Sequence, residues 1–144
     1  MEKTAMSGLM ARNKGKRGER GIIDLLQPVV NEVYELHNLE APILKRNTLQ
    51  SDRGGSDVAG LPWLALEVKY QEKEDINKWW KQTLEQAGQT GVPVLIYRRN
   101  NAKWRVRMFG MLGAPGCGYT VPVTVDIQHF LLWFRLRLIQ ELTQ

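Results

Sequence analysis

The stretch Gly54-Gly55-Ser56-Asp57-Val58-Ala59-Gly60-Leu61-Pro62-Trp63-Leu64-Ala65-Leu66-Glu67-Val68-Lys69-Tyr70 decides how this chain folds. Its second half, residues 61–70, is rich in Leu, Val and aromatic side chains and reads as a strand. Side chains alternate across a sheet, so Leu64, Leu66 and Val68 share one face while Ala65, Glu67 and Lys69 share the other. A carboxylate and an ammonium therefore sit in a strand that is otherwise apolar. Buried charge is costly unless it is paired or bound to metal. Asp57 follows a Gly-Gly-Ser turn and precedes Val58-Ala59, so it can open a short strand that leads back into 62–70 and brings Asp57 beside Glu67. Two neighbouring carboxylates repel, and a divalent cation resolves the repulsion. One reading is thus a Mg²⁺ site of Asp57 and Glu67 with Lys69 beside it. The other is an exposed edge strand whose Glu67–Lys69 pair is a surface ion pair. The Asp after a Gly-rich turn favours the first.

Outward from this stretch, the pattern is that of an α/β domain. Ile22, Ile23, Leu26, Val29, Val30 and Val33 recur at helical spacing, which predicts an amphipathic helix over about 17–37, kinked or divided at Pro28. Glu19 falls on the apolar face of its first turn, either as a site carboxylate or as a counter-charge to the helix N-terminus. Before it, Arg12, Lys14, Lys16, Arg17 and Arg20 cluster around Gly15 and Gly18, and residues 1–13 read as a flexible arm. Residues 42–49 read as a strand carrying Lys45 and Arg46, and 50–56 as a polar loop. Beyond the central strand, Glu74 and Asp75 open a helix whose buried stripe is Ile76, Trp79, Trp80, Thr83, Leu84 and Ala87. Gln82 and Gln86 flank it, either at a site or solvated.

Residues 92–97 form a strongly apolar strand and 103–108 another. In the latter Trp104, Val106 and Met108 oppose a basic stripe of Lys103, Arg105 and Arg107, suited to phosphates but equally normal for a solvent face. Four glycines and a proline make 110–120 a loop. Asp126 caps a last helix to about residue 142, so apolar around its circumference that packing on two sides is expected.

Composition narrows the function. Net charge is +5, which favours a polyanionic partner. No apolar run reaches the roughly 20 residues that span a bilayer. The lone Cys117 leaves neither a disulfide framework nor a Cys-based zinc site. His37 and His129 lack ligand spacing. No secretory signal is expected from a basic, Gly-containing N-terminus, and a single domain over 14–144 accounts for the length.

The order of these parts resembles the PD-(D/E)XK nuclease superfamily, and within it the archaeal-type Holliday junction resolvases and their phage-borne relatives. The residues that carry the resemblance are Lys14-Gly15-Lys16-Arg17-Gly18-Glu19-Arg20, Arg46, Ser56-Asp57-Val58-Ala59-Gly60, Leu66-Glu67-Val68-Lys69, Pro93-Val94-Leu95 and Trp104-Arg105, spread over roughly 12–140. Ser56 stands where the family has a proline, and the loop from Arg46 to Asp57 is longer than in short resolvases. Either Ser51 or Ser56 could match the family's loop serine.

The resemblance implies a restriction-endonuclease-like mixed central sheet flanked by helices, a homodimer, and Mg²⁺-dependent cleavage of branched DNA, with Mn²⁺ as a substitute. Asp57, Glu67 and the Val68 carbonyl would hold the metal, and Lys69 and Glu19 would complete the catalytic set. Lys14, Lys16, Arg17, Arg20, Arg46, Arg53 and Arg105, with a loop serine, would contact DNA. The expected location is cytoplasmic, in the host if the protein is phage-borne. Three alternatives compete with a resolvase: a restriction- or repair-type nuclease on ordinary duplex, an inactive DNA-binding module of the same fold, and a basic RNA-binding protein.

Overall fold

In the computed structural model, which describes residues 2–48, 56–89 and 91–144 with side chains from residue 8 on, nine elements follow one another. They are α1 (Glu2–Leu36), β1 (Lys45–Arg46), β2 (Val58–Ala59), β3 (Leu64–Tyr70), α2 (Ile76–Ala87), β4 (Val92–Arg98), β5 (Arg105–Ala114), β6 (Cys117–Asp126) and α3 (Ile127–Thr143). The main sheet has the order β3-β4-β5-β6, with β3 and β4 parallel and the remaining pairs antiparallel. A separate two-stranded ladder joins β1 and β2. This is the mixed sheet flanked by helices expected of the sequence.

Each face of the sheet buries the residues that its strand periodicity selects. Leu64, Leu66, Val68, Val94, Ile96, Val106 and Met108 pack under α1 and α3, against Ile22, Leu26, Val30, Val33, Phe130, Phe134 and Leu138. Each large apolar side chain removed from water there contributes about 1.5–3 kcal/mol. Trp63 anchors α3 over the start of β3, stacked on Phe134 at 6.1 Å and edge-on to Trp133 at 6.4 Å. On the opposite face α2 buries Trp79 and Trp80 against Leu95 and Tyr97, so the Trp pair belongs to the core.

Four expectations are corrected. The helix α1 runs unbroken through Pro28. Pro28 and Asp24 are both exposed, so the Asp24 carbonyl that loses its helical donor is on the solvent side and can be hydrated. Residues 1–13, expected as a flexible arm, are helical from Glu2 on. The strand expected over 42–49 shrinks to Lys45–Arg46, paired with Ala59 and Val58. Finally, 110–120 is not a loop but the end of a hairpin, in which Pro115 and Gly116 close a two-residue turn between Ala114 and Cys117. Gly116 has φ of 76°, which any other residue adopts only with strain.

β6 is the free edge of the sheet at this side. Hydrogen-bonded and non-bonded pairs alternate along an antiparallel ladder, starting from the bonded pair that closes the turn. Pro122, opposite Phe109, falls on a non-bonded position. Its nitrogen, which has no hydrogen to donate, therefore faces outward. β4 lies between β3 and β5 with Val94–Tyr97 buried.

Candidate active site

The opposite edge of the sheet, β3, is covered by its own upstream chain. Ser56 and Asp57 lie alongside it, and the Asp57 N–H donates to the Leu66 carbonyl at 2.7 Å. The Ser56 hydroxyl accepts from the Leu66 N–H at 3.0 Å and from the Val58 N–H at 3.3 Å. Asn47, in the residue after β1, clamps the same turn: its side-chain amide donates to the Ser56 carbonyl at 2.8 Å and its backbone N–H to the Asp57 carbonyl at 2.9 Å. The Asp57 carboxylate then accepts the Val68 N–H at 2.7 Å. A hydrogen bond from a backbone amide to a carboxylate favours the charged form.

Asp57 therefore reaches β3 on either side of Glu67, as the turn pattern predicted. Both carboxylates are buried, Asp57 at 4% and Glu67 at 5% exposure. Such values are rare for acidic residues without a compensating partner. Burial pushes the Glu67 carboxyl above its ordinary value. The Lys69 ammonium opposes this rise, the nearby Glu19 carboxylate adds to it, and a hydrogen bond from Gln86 lowers it again. Lys69 Nζ stands 3.3 Å from Glu67 Oε1. Because Lys69 side-chain exposure is only 22% and that of Glu67 only 7%, this is a half-buried pair rather than one at the surface. In a strand the N–H and C=O of one residue leave from the same edge, so the Val68 carbonyl shares the edge that Asp57 lines.

Glu19 arrives from α1. Its carboxylate accepts from Arg46 Nε at 2.7 Å, which ties α1 to β1 across the site. The approach of α1 depends on Gly18, whose buried Cα faces Tyr70; a Cβ there would lie 3.1 Å from Tyr70 Cβ and 3.4 Å from the Trp104 ring. Tyr70 in turn is held edge-on by Trp104 at 5.9 Å, and Arg98 sits 4.3 Å over its ring and donates to its hydroxyl at 2.8 Å.

The structure thus brings Glu19, Asp57, Glu67 and Lys69 to one edge, with Arg46 beside them. Arg46 faces an internal carboxylate. Lys16, Arg17 and Arg20 are exposed along α1, and Lys14 is half-buried. Arg105 is exposed on β5, two strands from the site. Ser56 spends its hydroxyl on the β3 backbone, while Ser51 and Arg53 lie outside the described residues. Sequence reasoning missed Asn47 as the clamp on Asp57 and left Gln86 open between two roles. The structure assigns it to the site, since its side chain hydrogen-bonds the Glu67 carboxylate.

The donor set fits a hard divalent cation. Two buried carboxylates and a backbone carbonyl are oxygen donors of the kind such a cation takes. Among the described residues no group of three or more His, Cys, Asp or Glu is arranged to hold a metal. A site with one or two carboxylates is how Mg²⁺ is bound when waters and substrate phosphates complete its shell.

The sequence model of the family described as "Phage putative PDDEXK endonuclease" matches residues 10–111, more than two thirds of the chain. The match takes in α1 from its exposed basic segment, every residue of the β3 edge described above, and β5 as far as Met111. Comparison with curated proteins and with solved structures finds no match. With its buried Asp57 and Glu67, its Glu67-Val68-Lys69 strand and a family match that spans them all, the chain belongs to the PDDEXK endonuclease family of phages.

Proposed function

We propose that this protein is a Mg²⁺-dependent endodeoxyribonuclease that cuts branched DNA as a Holliday junction resolvase, in the cytoplasm of the host cell. The observation that carries the reading is the convergence of buried Asp57 and Glu67 on the β3 edge, with Lys69 3.3 Å from Glu67. PDDEXK nucleases as a class use divalent metals, and Mn²⁺ is the natural substitute here.

Asp57, Glu67 and the Val68 carbonyl would hold a divalent cation, which would supply the charge that polarises the scissile phosphate and acidifies water. The chain's own residues do the rest. Lys69, 3.3 Å from Glu67, is placed to orient the attacking water and to offset negative charge that develops on the phosphate. Glu19, fixed by Arg46, holds a water hydrogen bond on the α1 side. Arg20, with Lys16 and Arg17 on the same exposed helix, grips flanking phosphates. Such contacts position DNA without reading its sequence, as structure-selective cleavage requires.

A junction offers two symmetry-related strands, which a two-fold dimer serves. Support for a dimer comes from α3, where Leu132 and Leu136 are 62% and 67% exposed while Phe130, Phe134 and Leu138 are buried. The test is to incubate the protein with Mg²⁺ and labelled four-way junction, flap and linear duplex, and to measure its mass by sedimentation. Paired symmetric nicks in the junction with a dimeric mass are expected. Equal cutting of linear duplex would make it a general duplex nuclease, and no cutting of any substrate would make it a binding module.

A further inference from the structure

Two rows of side chains cross the face of the sheet that α2 covers. Glu67 is in register with Leu95, and Leu95 with Arg107; Lys69 is in register with Tyr97, and Tyr97 with Arg105. Cross-strand partners share a face, and Leu95 and Tyr97 pack against the Trp pair of α2. Each row therefore starts at a site residue, passes beneath the helix and ends at an arginine on β5. Two strand spacings separate Lys69 from Arg105, about 10 Å between backbones.

At the end of the second row lies a cavity of about 250 Å³, separate from the β3 site. Its wall holds four cations, Arg98, Arg99, Lys103 and Arg105, against one carboxylate, Glu74, and Tyr97 lies between them. Two of the cations are engaged. Arg99 Nε stands 3.3 Å from Glu74 Oε1, while Arg98 lies over the Tyr70 and Trp104 rings and donates to the Tyr70 hydroxyl. The other two are not: among the described residues the side chains of Lys103 and Arg105 have neither an ion pair nor a hydrogen bond. Asp126, opposite Arg105 on β6, gives its carboxylate to the His129 N–H and ring instead.

The local fold sets these two side chains in advance. The Ala102 N–H donates to the Arg99 carbonyl at 3.2 Å and Asn101 takes a φ of 59°, which turns β4 back into β5. Glu72 accepts the Asn100 N–H at 2.6 Å and so ties that turn to the end of β3. Trp104, packed edge-on to Tyr70 at 5.9 Å, anchors the segment, and Lys103 and Arg105 on either side of it both line the cavity.

The volume lies below the roughly 300–1,000 Å³ of pockets for small molecules, which leaves room for a phosphate and part of the sugar it joins. A guanidinium meets phosphate as a fork and an ammonium as a point charge. The geometry points to a site for a DNA backbone phosphate other than the one cut, held by Lys103 and Arg105 roughly three base-pair steps of a B-form strand from Lys69. This rests on the nuclease reading above and deepens it. The exposed cations of α1 grip DNA from one face of the sheet and this site grips it from the other, with the β3 edge between them.

The test uses the full chain carrying Asp57→Asn, which is expected to bind DNA without cutting it, and a four-way junction whose phosphates are replaced one at a time by neutral methylphosphonate. Wild-type cleavage of the same junction in Mg²⁺ marks the cut. One position away from the cut should cost about ten-fold in affinity, as loss of a charge-assisted contact does. With Lys103→Ala/Arg105→Ala added, that position should cost nothing while the other sensitive positions keep their cost. The slope of log affinity against log salt should fall by about two. Both side chains are exposed, so the added substitutions are expected to leave the melting temperature unchanged. The same methylphosphonate profile in both proteins, or an unchanged slope, overturns the proposal. Inorganic phosphate, titrated by calorimetry into both proteins without DNA, separates the two sources of phosphate. Binding that needs Lys103 and Arg105, together with identical DNA profiles, makes this a site for a free phosphate compound and overturns its assignment to DNA. If wild type cuts nothing, the nuclease reading fails, and the methylphosphonate profile alone decides the phosphate site.

Discussion

The two edges of the main sheet are built on opposite lines. At β3 the free edge is covered, first by Ser56 and Asp57 and then by Glu19 and Arg46, and it holds charged groups out of water. At β6 the edge is open, and from Phe109 to Val125 the hairpin carries no charged residue, although Met111 and Tyr119 are 75% and 63% exposed. The covered edge spends folding free energy on burying carboxylates. The open edge carries no such burden. The family match runs across the first and ends at residue 111, before the hairpin turns. Chemistry and thermodynamic strain are thus concentrated on one side of a sheet whose other side is free of both.

If that division holds, substitutions should differ sharply between the edges. The largest effect is expected at the two buried carboxylates of the β3 edge. Asp57→Asn and Glu67→Gln should each lower cleavage by about 10³-fold or more while DNA binding persists, because each substitution removes an anionic oxygen ligand from the cation that would offset transition-state charge. Retained nuclease activity in either variant would sink the assignment.

Next is Gly18→Ala. Alanine raises helix propensity by about 1 kcal/mol, which offsets the crowding against Tyr70. Stability should change little. The shift of α1 should still displace Glu19 by a few tenths of an ångström and cut activity about ten-fold. A drop in melting temperature without loss of activity would contradict this account of Gly18.

Glu67 also gives the covered edge a pH signature. Its folded-state pKa is raised by burial, so its contribution to stability is full below the unfolded value and is lost as pH rises through the folded one. The metal-free protein should therefore lose stability across that window. Glu67→Gln should melt higher than wild type at neutral pH, with the difference vanishing in acid. Calorimetry in chelator at several pH values checks it; a variant that melts lower at every pH would mean that the Lys69 pair outweighs burial.

The smallest effects separate grip from bystander. Arg20→Ala should reduce the slope of log affinity against log salt by about one. Met111→Ser on the hairpin should leave stability within about 0.5 kcal/mol. A hairpin substitution that abolished cleavage would erase the contrast between the edges.

Much of the covered edge could be read from the sequence because its signals are local. The alternation of Leu64, Leu66 and Val68 against Glu67 and Lys69 spans six residues, and Asp57 announces itself after two glycines. The helical stripes of α1, α2 and α3 are likewise periodic within themselves. What stayed hidden depends on partners far along the chain. The Arg46–Glu19 bond joins residues 27 apart, and the Arg98–Tyr70 bond residues 28 apart. Composition was misleading in the hairpin: glycine and proline, read as breakers, there serve a tight turn and an extended pair of strands. Pro28 misled in the same way, since a proline whose lost bond faces water does not end a helix.

Pro122 bears on how the chain behaves in a crowded cell. An uncharged, exposed edge strand with Val121, Val123 and Val125 on one face is a template for adding strands from other copies. A newcomer docking along β6 would meet a missing donor at its centre, flanked by the ring that holds it. Growth of a continuous ribbon is interrupted there, so the hairpin can remain free of lysine and glutamate without seeding aggregates when the protein accumulates.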